Sequence, residues 1–483
     1  MTSPATPTEM AAPSSTPTVA VSAKRRWLRQ AIGLLVVVAV VYGGFFAYAL
    51  YERNTVLSRL EAKGEKVRFS EYTAALFVKN ASQPSPAPIR EAIEALKKQK
   101  GGRGELLPTS GTYSLAEKTN WRPMSHQKID AELKAAAPAL VAAHAAVKNP
   151  ARHVLSEEEF RKEGSQLPAL EHLPMISRLV SLLALERIDA LAKGDARRAF
   201  DCVRTSFGVA ESLADEPWLR SQQRRLDAFE TSGLQLFRCL GDAAATEDEY
   251  RQFDAIFAAA SANATAKEML RVEFAKRFEL LEDPRLFKEA TTAYFGRLMR
   301  DDSFDRKLLH WKYAVLTSPL ARPLVYLVQA DVLRDFSTLL ERSDKPQIGE
   351  WTETHRPPFD DVMLPLYMTR VDRVEDEMDY VVSFGRSATM CRWALHICQS
   401  FDAKGSLPKR LEDVCDAGMP TIDLAWFDGK APQYTLAAKG FTLEAGARNP
   451  RSKSLSLVSE SIRVQFADKR LGRPPASGAG KAN

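Results

Sequence analysis

The sequence has little cysteine, and no two cysteines are spaced as CxxC. Five cysteines in 483 residues are too few and too scattered for the disulfide frameworks that hold small secreted domains together. We expect buried free thiols, the ordinary state of such residues. Two pairings stay open: Cys202 with Cys239 across packed helices, and Cys398 with Cys415 across a turn.

Local signatures of catalysis and metal binding are also missing. None of the seven histidines stands in HExxH, and no two lie three or four residues apart, so the sequence predicts no metal site. There is no GxSxG elbow, P-loop or GxGxxG turn, which excludes the usual serine-hydrolase, nucleotide and dinucleotide motifs. We therefore predict a protein that is not an enzyme and uses no cofactor. The alternative is an envelope hydrolase with catalytic residues from distant segments.

Two groups of polar residues could still carry chemistry. A pair of carboxylates about 5–10 Å apart can hydrolyse glycosides, and one predicted helix carries an acidic row, although a solvated helix face is its ordinary state. His396 stands near Trp393 on the same predicted helix and is expected to be a packed core residue rather than a base. The acidic row on the helix consists of Asp372, Glu375, Asp376 and Asp379, and Asp360 and Asp361 lie just before that helix.

Outside its last 36 residues the chain has no net charge. Residues 448–483 carry eight Lys/Arg and two Asp/Glu, which accounts for the whole net charge of +6. A basic nucleic-acid footprint on the body is therefore unsupported. The end of the chain, 469–483, is predicted to be a disordered basic tail. It could touch anionic wall polymers or lipid headgroups, and the alternative is a frayed terminus in solvent. The tail cations are Lys469, Arg470, Arg473 and Lys481.

What the sequence does contain is one long uncharged run near its start. Residues 31–51 carry no charge, and at about 1.5 Å per residue such a helix spans a hydrocarbon core of roughly 30 Å. Basic residues stand only before the run, which predicts a cytoplasmic N-terminus with the bulk of the chain beyond the membrane. The anchor residues are Lys24, Arg25, Arg26 and Arg29, followed by the run from Ala31 to Tyr51.

The run is interpreted as an uncleaved anchor. A secretory signal has a shorter apolar core, roughly 7–15 residues, before a small-x-small site. Ala47-Tyr48-Ala49 could serve as that site, but the helical pattern continues past it to Gly64, which is a good C-terminal stop. A cleaved signal and a buried core helix are the alternatives.

The rest of the chain is predicted to be mainly α, with one N-terminal transmembrane helix, an irregular helical-hairpin array and a small C-terminal antiparallel β-sheet. Gly194-Asp195 should close one helix and cap the next, and Ser156 with Glu159 should form a capping box. After Gly405 the apolar period changes from 3.6 to 2, as in paired strands. The expected segments are 1–22, a disordered cytoplasmic segment; 23–63, the transmembrane anchor helix; 64–165, a juxtamembrane helical and loop region; 166–343, the helical array; 344–366, a linker; 367–419, a long helix and a short helix; 420–468, the small β-sheet; and 469–483, the basic tail.

Two stretches resemble a group of uncharacterised, singly anchored bacterial envelope proteins. The first is LAKGDARRA at 191–199, which leads to EP at 216–217. The second is GSLP at 405–408, which leads to QY at 433–434 and KGF at 439–441. The resemblance implies the inner membrane of a bacterium, and this group has no established activity to transfer.

The second stretch is also similar to the C-terminal hairpin module of type II secretion pseudopilins. Their Asp-Pro turn is replaced here by LAWFDG at 424–429, and Arg448 and Arg451 stand where some of them bind calcium. No prepilin cleavage motif precedes the anchor. The resemblance therefore implies a shared β-hairpin, without calcium, rather than a pilus subunit.

The sequence favours an interaction role in the cell envelope. Helical arrays expose long concave faces suited to protein partners. The expected partners are the lipid bilayer, through the N-terminal helix, and an unidentified envelope protein, with no nucleic acid. The alternative is a secretion or pilus-like assembly component that uses the C-terminal sheet.

Overall fold

A computed structural model describes most of the chain. The described residues are 19–72 apart from 70, 84–99, 126–148, 151–156, 170–262 apart from 217, 266–289, 318–343, 372–415, 431–445 and 461–471, with the single positions 159, 292, 314 and 427. The linker expected at 344–366 lies outside them.

The described part is mainly helical, as predicted, with one long apolar helix at its start. A 3₁₀ turn, Pro319–Ala321, leads into α9. The helices are α1 (Val19–Ala62), α2 (Ala87–Lys98), α3 (His126–Val147), α4 (His172–Ala192), α5 (Ala196–Glu211), α6 (Leu219–Asp242), α7 (Glu247–Ala262), α8 (Ala266–Glu282), α9 (Arg322–Ser343), α10 (Asp372–Lys404), α11 (Glu412–Cys415) and α12 (Asp468–Leu471).

The helix boundaries follow the local signals in the sequence. Gly64, Gly194 and Gly405 end α1, α4 and α10, and all three have positive φ values, between 70° and 80°, which cost glycine little. In the predicted capping box, the backbone N–H of Ser156 donates to Glu159 while that of Glu159 donates to the Ser156 hydroxyl. Helix α1 begins four residues before the expected boundary at 23, inside the segment expected to be disordered.

Three strands form an antiparallel sheet in the order β1-β2-β3. β1 (Gln433–Ala437) and β2 (Gly440–Glu444) are the predicted hairpin, and β3 (Ser461–Gln465) pairs with the other edge of β2. The alternating apolar residues Leu455 and Leu457 predict a further strand before β3, at positions that lie outside the described part.

The buried side chains form two cores. The body core takes residues from α2 to α7, from one face of α8, from α10 and from the sheet. The neck core, named here for its position between α1 and the body, takes Val56 and Leu60 from α1 and packs them against α8 and α9. Helix α8 belongs to both, because Val272 and Ala275 face the body while Phe274 and Phe278 face the neck.

The sheet is fixed to the ends of α6 and α10. The backbone N–H of Ala467 donates to the Gly241 carbonyl at 2.9 Å, and a Cβ at Gly241 would lie 2.3 Å from the Gln465 carbonyl oxygen. The rings of Phe401 and Phe466 stack with centroids 4.3 Å apart. These contacts make the sheet part of the body rather than a separate module.

The expected disordered tail is wrong at its start. Residues 469–471 lie in α12, and the side chain of Arg470 is only 2% exposed. Its guanidinium pairs with Asp402 of α10 and lies over the rings of Phe401 and Phe466. The prediction failed because it counted charge without a partner, and the partner lies 68 residues earlier in the chain. Arg473 and Lys481 lie outside the described residues.

Candidate functional site

The first candidate site is the apolar half of α1. Among the described residues, α1 is the one helix long and apolar enough to cross a membrane. Every side chain at positions 32–41 is exposed, so this segment has no apolar partner in the described chain, unlike the core helix that was one alternative. Arg25, Arg26 and Arg29 are exposed at its start, and Tyr51 is exposed at its end. Ala31 is half-buried, and the side chain of Lys24 lies outside the description.

The other half of α1 is joined to α9. Its contact residues recur at intervals of four and three, the spacing of two helices packed side by side. The hydroxyl of Tyr42 lies 3.4 Å from the carbonyl oxygens of Pro319 and Leu320, and Lys63 pairs with Glu341 at 2.7 Å. The two helices therefore run parallel. The stripe on α1 consists of Tyr42, Phe46, Ala49, Arg53, Val56 and Leu60.

Ion pairs flank this stripe. Arg53 binds Glu282 at 2.7 Å, and its guanidinium lies 5.3 Å from the centroid of the Tyr326 ring. Just beyond α1, Glu65 receives two N–H bonds from Arg271 of α8, at 2.8 and 2.9 Å. Such forked pairs fix orientation as well as distance. The end of α1 is thus held rigidly to two other helices.

The proposed cleavage site lies inside this joint. Ala49 is fully buried, and the ring of Phe46, on the other side of the site, contacts Tyr326 at 5.6 Å edge to face. Cleavage after Ala49 would remove the side chains that α9 packs against at this level.

The second candidate site is a polar cluster where α3, α4 and α5 meet. Gly194 and the N-cap Asp195 turn α5 back against α4, so Glu186 and Cys202, each eight residues from Gly194, lie at the same level of the hairpin. Helix α3 approaches α5 closely because Gly208 of α5 has no side chain: a Cβ there would lie 2.6 Å from the side chain of Val147 at the end of α3.

Three potential ligand atoms converge in this cluster. One nitrogen of His144, one carboxylate oxygen of Glu186 and the sulfur of Cys202 all lie within 4.8 Å of one another. The Nε2 atom of His144 is 2.9 Å from Oε2 of Glu186, and its Nδ1 atom is 2.8 Å from the Thr205 hydroxyl. The other oxygen of Glu186 accepts from Arg198 at 2.8 Å.

The pKa values of the two acids in this cluster are shifted in opposite directions. Burial raises the pKa of the Cys202 thiol, and the neighbouring carboxylate raises it further. Burial would also raise the pKa of Glu186, but hydrogen bonds from His144 and Arg198 outweigh this and lower it. The cluster without a metal ion therefore pairs a neutral thiol with a carboxylate.

The remaining buried histidines serve structure. His172 binds Glu216 at 2.9 Å, and the other carboxylate oxygen of Glu216 accepts the backbone N–H of Val154. His396, expected to be a packed core residue, lies 2.9 Å from Asp254, which also accepts two bonds from Arg392. Each of these carboxylates accepts hydrogen bonds on both oxygens and so holds neighbouring groups in place.

Of the other sequence candidates, Cys202 lies in the polar cluster. The acidic row before and along α10 lies at positions whose side chains fall outside the description. Cys202, Cys239, Cys391 and Cys398 are buried free thiols in this structure. An open groove of about 360 Å³ lies between α5 and the start of α7, and its charged lining of both signs includes Arg197, Asp201, Arg204, Asp248 and Glu249.

Comparison with known proteins adds no assignment to either site. No family model matches the chain, and no curated protein and no solved structure matches it. The residues and their geometry therefore carry the functional argument.

Proposed function

We propose that the protein is a single-pass envelope protein of a bacterial inner membrane, with its N-terminus in the cytoplasm and its helical body on the outer side. The supporting observation is the division of α1 into two halves. One half is apolar and exposed on all sides, while the other is built into the neck core. A helix with this division suits a tether that holds a folded body at a fixed place on a bilayer.

The neck places the body against the lipid. Arg29 and Glu52, the charges on either side of the run, are about 34 Å apart at about 1.5 Å per residue, close to a bilayer's hydrocarbon thickness of roughly 30 Å. Tyr42 lies about 14 Å before Tyr51 along the axis. The start of α9, at the level of Tyr42, would then lie within the outer leaflet, where the 71% exposed side chain of Leu320 would meet lipid.

The body is proposed to bind or scaffold another envelope protein. The groove between α5 and α7 supports this role, because it is open, shallow and lined by charges of both signs, as rims of protein interfaces are. A non-enzymatic role for the body stays part of this proposal.

A second candidate is an assembly component that uses the sheet, as in secretion or pilus-like machines. In the described residues β1 pairs only with β2, and Leu436 on β1 is 45% exposed. An exposed strand edge can accept a strand from another chain.

The topology is tested by protease added to spheroplasts. We expect digestion of the body while a tag before residue 19 survives, and we expect alkaline carbonate to leave the protein in the membrane fraction. The matched control is the same digestion after permeabilisation, which should remove the tag. Protection of the body in spheroplasts, or release by carbonate, would contradict the proposal.

The position of α9 is tested by cysteine labelling in native membranes. Leu320→Cys and Val141→Cys replace side chains of equal exposure, 71% and 70%, on the neck and on the body. We expect a water-soluble maleimide to label position 141 quickly and position 320 slowly. Equal labelling would place the start of α9 in water.

Partner binding is tested by crosslinking and affinity purification of the full chain. Leu436→Asp on the exposed edge should leave the partners unchanged if the body binds them, and should remove them if β1 does. Deletion of 420–483 would be a poor test, because Phe441, Leu443 and Ile462 of the sheet are fully buried in the body core.

A further inference from the structure

We propose that His144, Glu186 and Cys202 bind a divalent transition metal ion, zinc above all, through Nε2, a carboxylate oxygen and a thiolate. The three donors come from three helices and lie within 4.8 Å of one another. Nitrogen, sulfur and carboxylate oxygen are the ligands that zinc takes in proteins. The contacts needed are already present, apart from small shifts that open the space for an ion about 2.0–2.3 Å from each donor.

Hydrogen bonding leaves one place in the cluster for a cation. The hydroxyl of Thr205 lies 2.9 Å from the Asp201 carbonyl oxygen and 2.8 Å from Nδ1 of His144. When its one hydrogen is donated to Asp201, Thr205 accepts from Nδ1–H of His144. The lone pair of Nε2 then faces Oε2 of Glu186 at 2.9 Å. Two acceptors at this distance repel unless a proton or a metal ion lies between them.

The second coordination shell is also in place. Metal-binding histidines nearly always donate their other ring N–H to a fixed acceptor, and ligand carboxylates are themselves hydrogen-bonded. Here Nδ1–H of His144 has Thr205, and Oε1 of Glu186 has Arg198 at 2.8 Å. Both partners leave Nε2 and Oε2 free to face the ion.

The ligand charges balance those of a divalent ion. When the ion binds, the thiol proton of Cys202 and any proton on Nε2 leave to the buffer. The ion with one carboxylate and one thiolate then carries no net charge, so Arg198, although it is a cation, meets no excess of positive charge.

The ion has a route to the site. Cys202 is fully buried and Glu186 nearly so, but the side chains of His144 and Arg198 are 31% and 60% exposed. Three protein ligands would leave one position of a tetrahedral ion open for water or another ligand, as in zinc sites that act on substrates. This proposal departs from the sequence expectation of no metal site, which considered only donors close together in the chain.

The test is cobalt and zinc titration of the detergent-solubilised full-length protein after treatment with a chelator. We expect about one equivalent of cobalt(II), with a thiolate-to-cobalt absorption band in the near ultraviolet, and displacement of that band by zinc. Absence of the band in the folded wild-type protein would overturn the proposal and leave a hydrogen-bonded pair of His144 and Glu186 in the cluster.

A matched pair of cysteine variants assigns the ligand. Cys202→Ser should abolish the band, whereas Cys239→Ser, at an equally buried thiol outside the cluster on α6, should keep it. Thr205→Val should weaken cobalt binding about 10–100-fold, the usual effect of losing an outer-shell partner. A band that survives in Cys202→Ser would overturn the proposal. If Cys202→Ser does not fold, the half-exposed His144→Gln variant decides, since it too should lose the ion.

Discussion

The body core and the neck core differ in how their side chains pack. The body core contains a cluster of aromatic rings, in which the ring centroid of Phe207 lies 5.1 Å from that of Phe229 and 5.4 Å from that of Phe257, both edge to face. The neck has a narrower apolar stripe with charged side chains along both flanks, among them the pair of Arg53 and Glu282. Ion pairs stabilise both regions, for example Arg392 with Asp254 in the body, and the body differs from the neck in its larger cluster of packed aromatic rings.

The two regions also differ in their need for α1. No residue of α1 belongs to the body core among the described residues, while Val56 and Leu60 are part of the neck core. The body can thus remain folded when the neck is damaged. The predictions below test this separation, from the largest expected effect to the smallest.

Damage to the body should be global. Phe207→Ala removes a ring that is 1% exposed, and we expect a loss of about 3–5 kcal/mol in the free energy of unfolding. The measurement is denaturant unfolding followed by circular dichroism. A loss below about 1 kcal/mol would show that this aromatic cluster tolerates a cavity.

Damage to the neck should be local. Phe336→Ala removes an equally buried ring of α9 that stacks on Phe274 with centroids 4.7 Å apart. We expect a local cost of about 3–4 kcal/mol, seen as faster amide hydrogen exchange in α8 and α9 while α4 to α6 keep their protection. Equal acceleration in both regions would mean that the neck and the body unfold as one unit.

The attachment of the sheet should depend on one buried ion pair. Asp402→Ala leaves the guanidinium of Arg470 buried without its carboxylate, and we expect a cost of about 3 kcal/mol. Arg470→Met, which removes the buried charge and keeps an apolar stem, should cost less. If the two variants lose equal stability, packing rather than charge holds α12 on the body.

Acid should weaken the body through Asp254. Burial alone would raise the pKa of this carboxyl, but hydrogen bonds from His396 and Arg392 hold it well below its ordinary value. Its contribution to stability is therefore present above the unfolded pKa of about 3.9 and is lost as the pH falls below it. In Asp254→Asn the free energy of unfolding should change less between about pH 5 and pH 3 than in the wild type. An unchanged slope would contradict this assignment.

In the neck, the pKa of one acid is shifted in the opposite direction. Burial raises the pKa of Asp331 on α9, so its protonation favours the folded state, and its contribution declines as the pH rises through the range of an ordinary aspartate. A fall in pH through the range of an ordinary aspartate therefore lowers the contribution of Asp254 to the stability of the body and raises the contribution of Asp331 to the stability of the neck.

Signals confined to a few residues were readable in the sequence. The Ser156–Glu159 box, the stop at Gly64 and the turn at Gly194-Asp195 each depend on neighbours within four positions, and the structure has all three. The hairpin of β1 and β2 was readable because the apolar period changes there and the Lys439-Gly440 pair marks the turn, in which Gly440 is the first residue of β2.

Contacts between distant segments were not readable. The parallel pairing of α1 with α9 joins residues more than 270 positions apart, and no local pattern identifies the partner of an apolar stripe. Arg470 looked like part of a soluble tail because Asp402 and its aromatic neighbours lie far away in the chain. The cluster at His144 was invisible for the same reason, although the equal distances of Glu186 and Cys202 from Gly194 were a usable signal.

The parallel neck has a mechanical consequence. Because α1 passes from its apolar half into the joint with α9 as one unbroken helix, the proposed tether would have no flexible link between lipid and protein. A helix longer than the local hydrocarbon thickness tilts. In a thinner bilayer the entire body would lean with it, so that local lipid composition would set the angle at which the protein faces its surroundings.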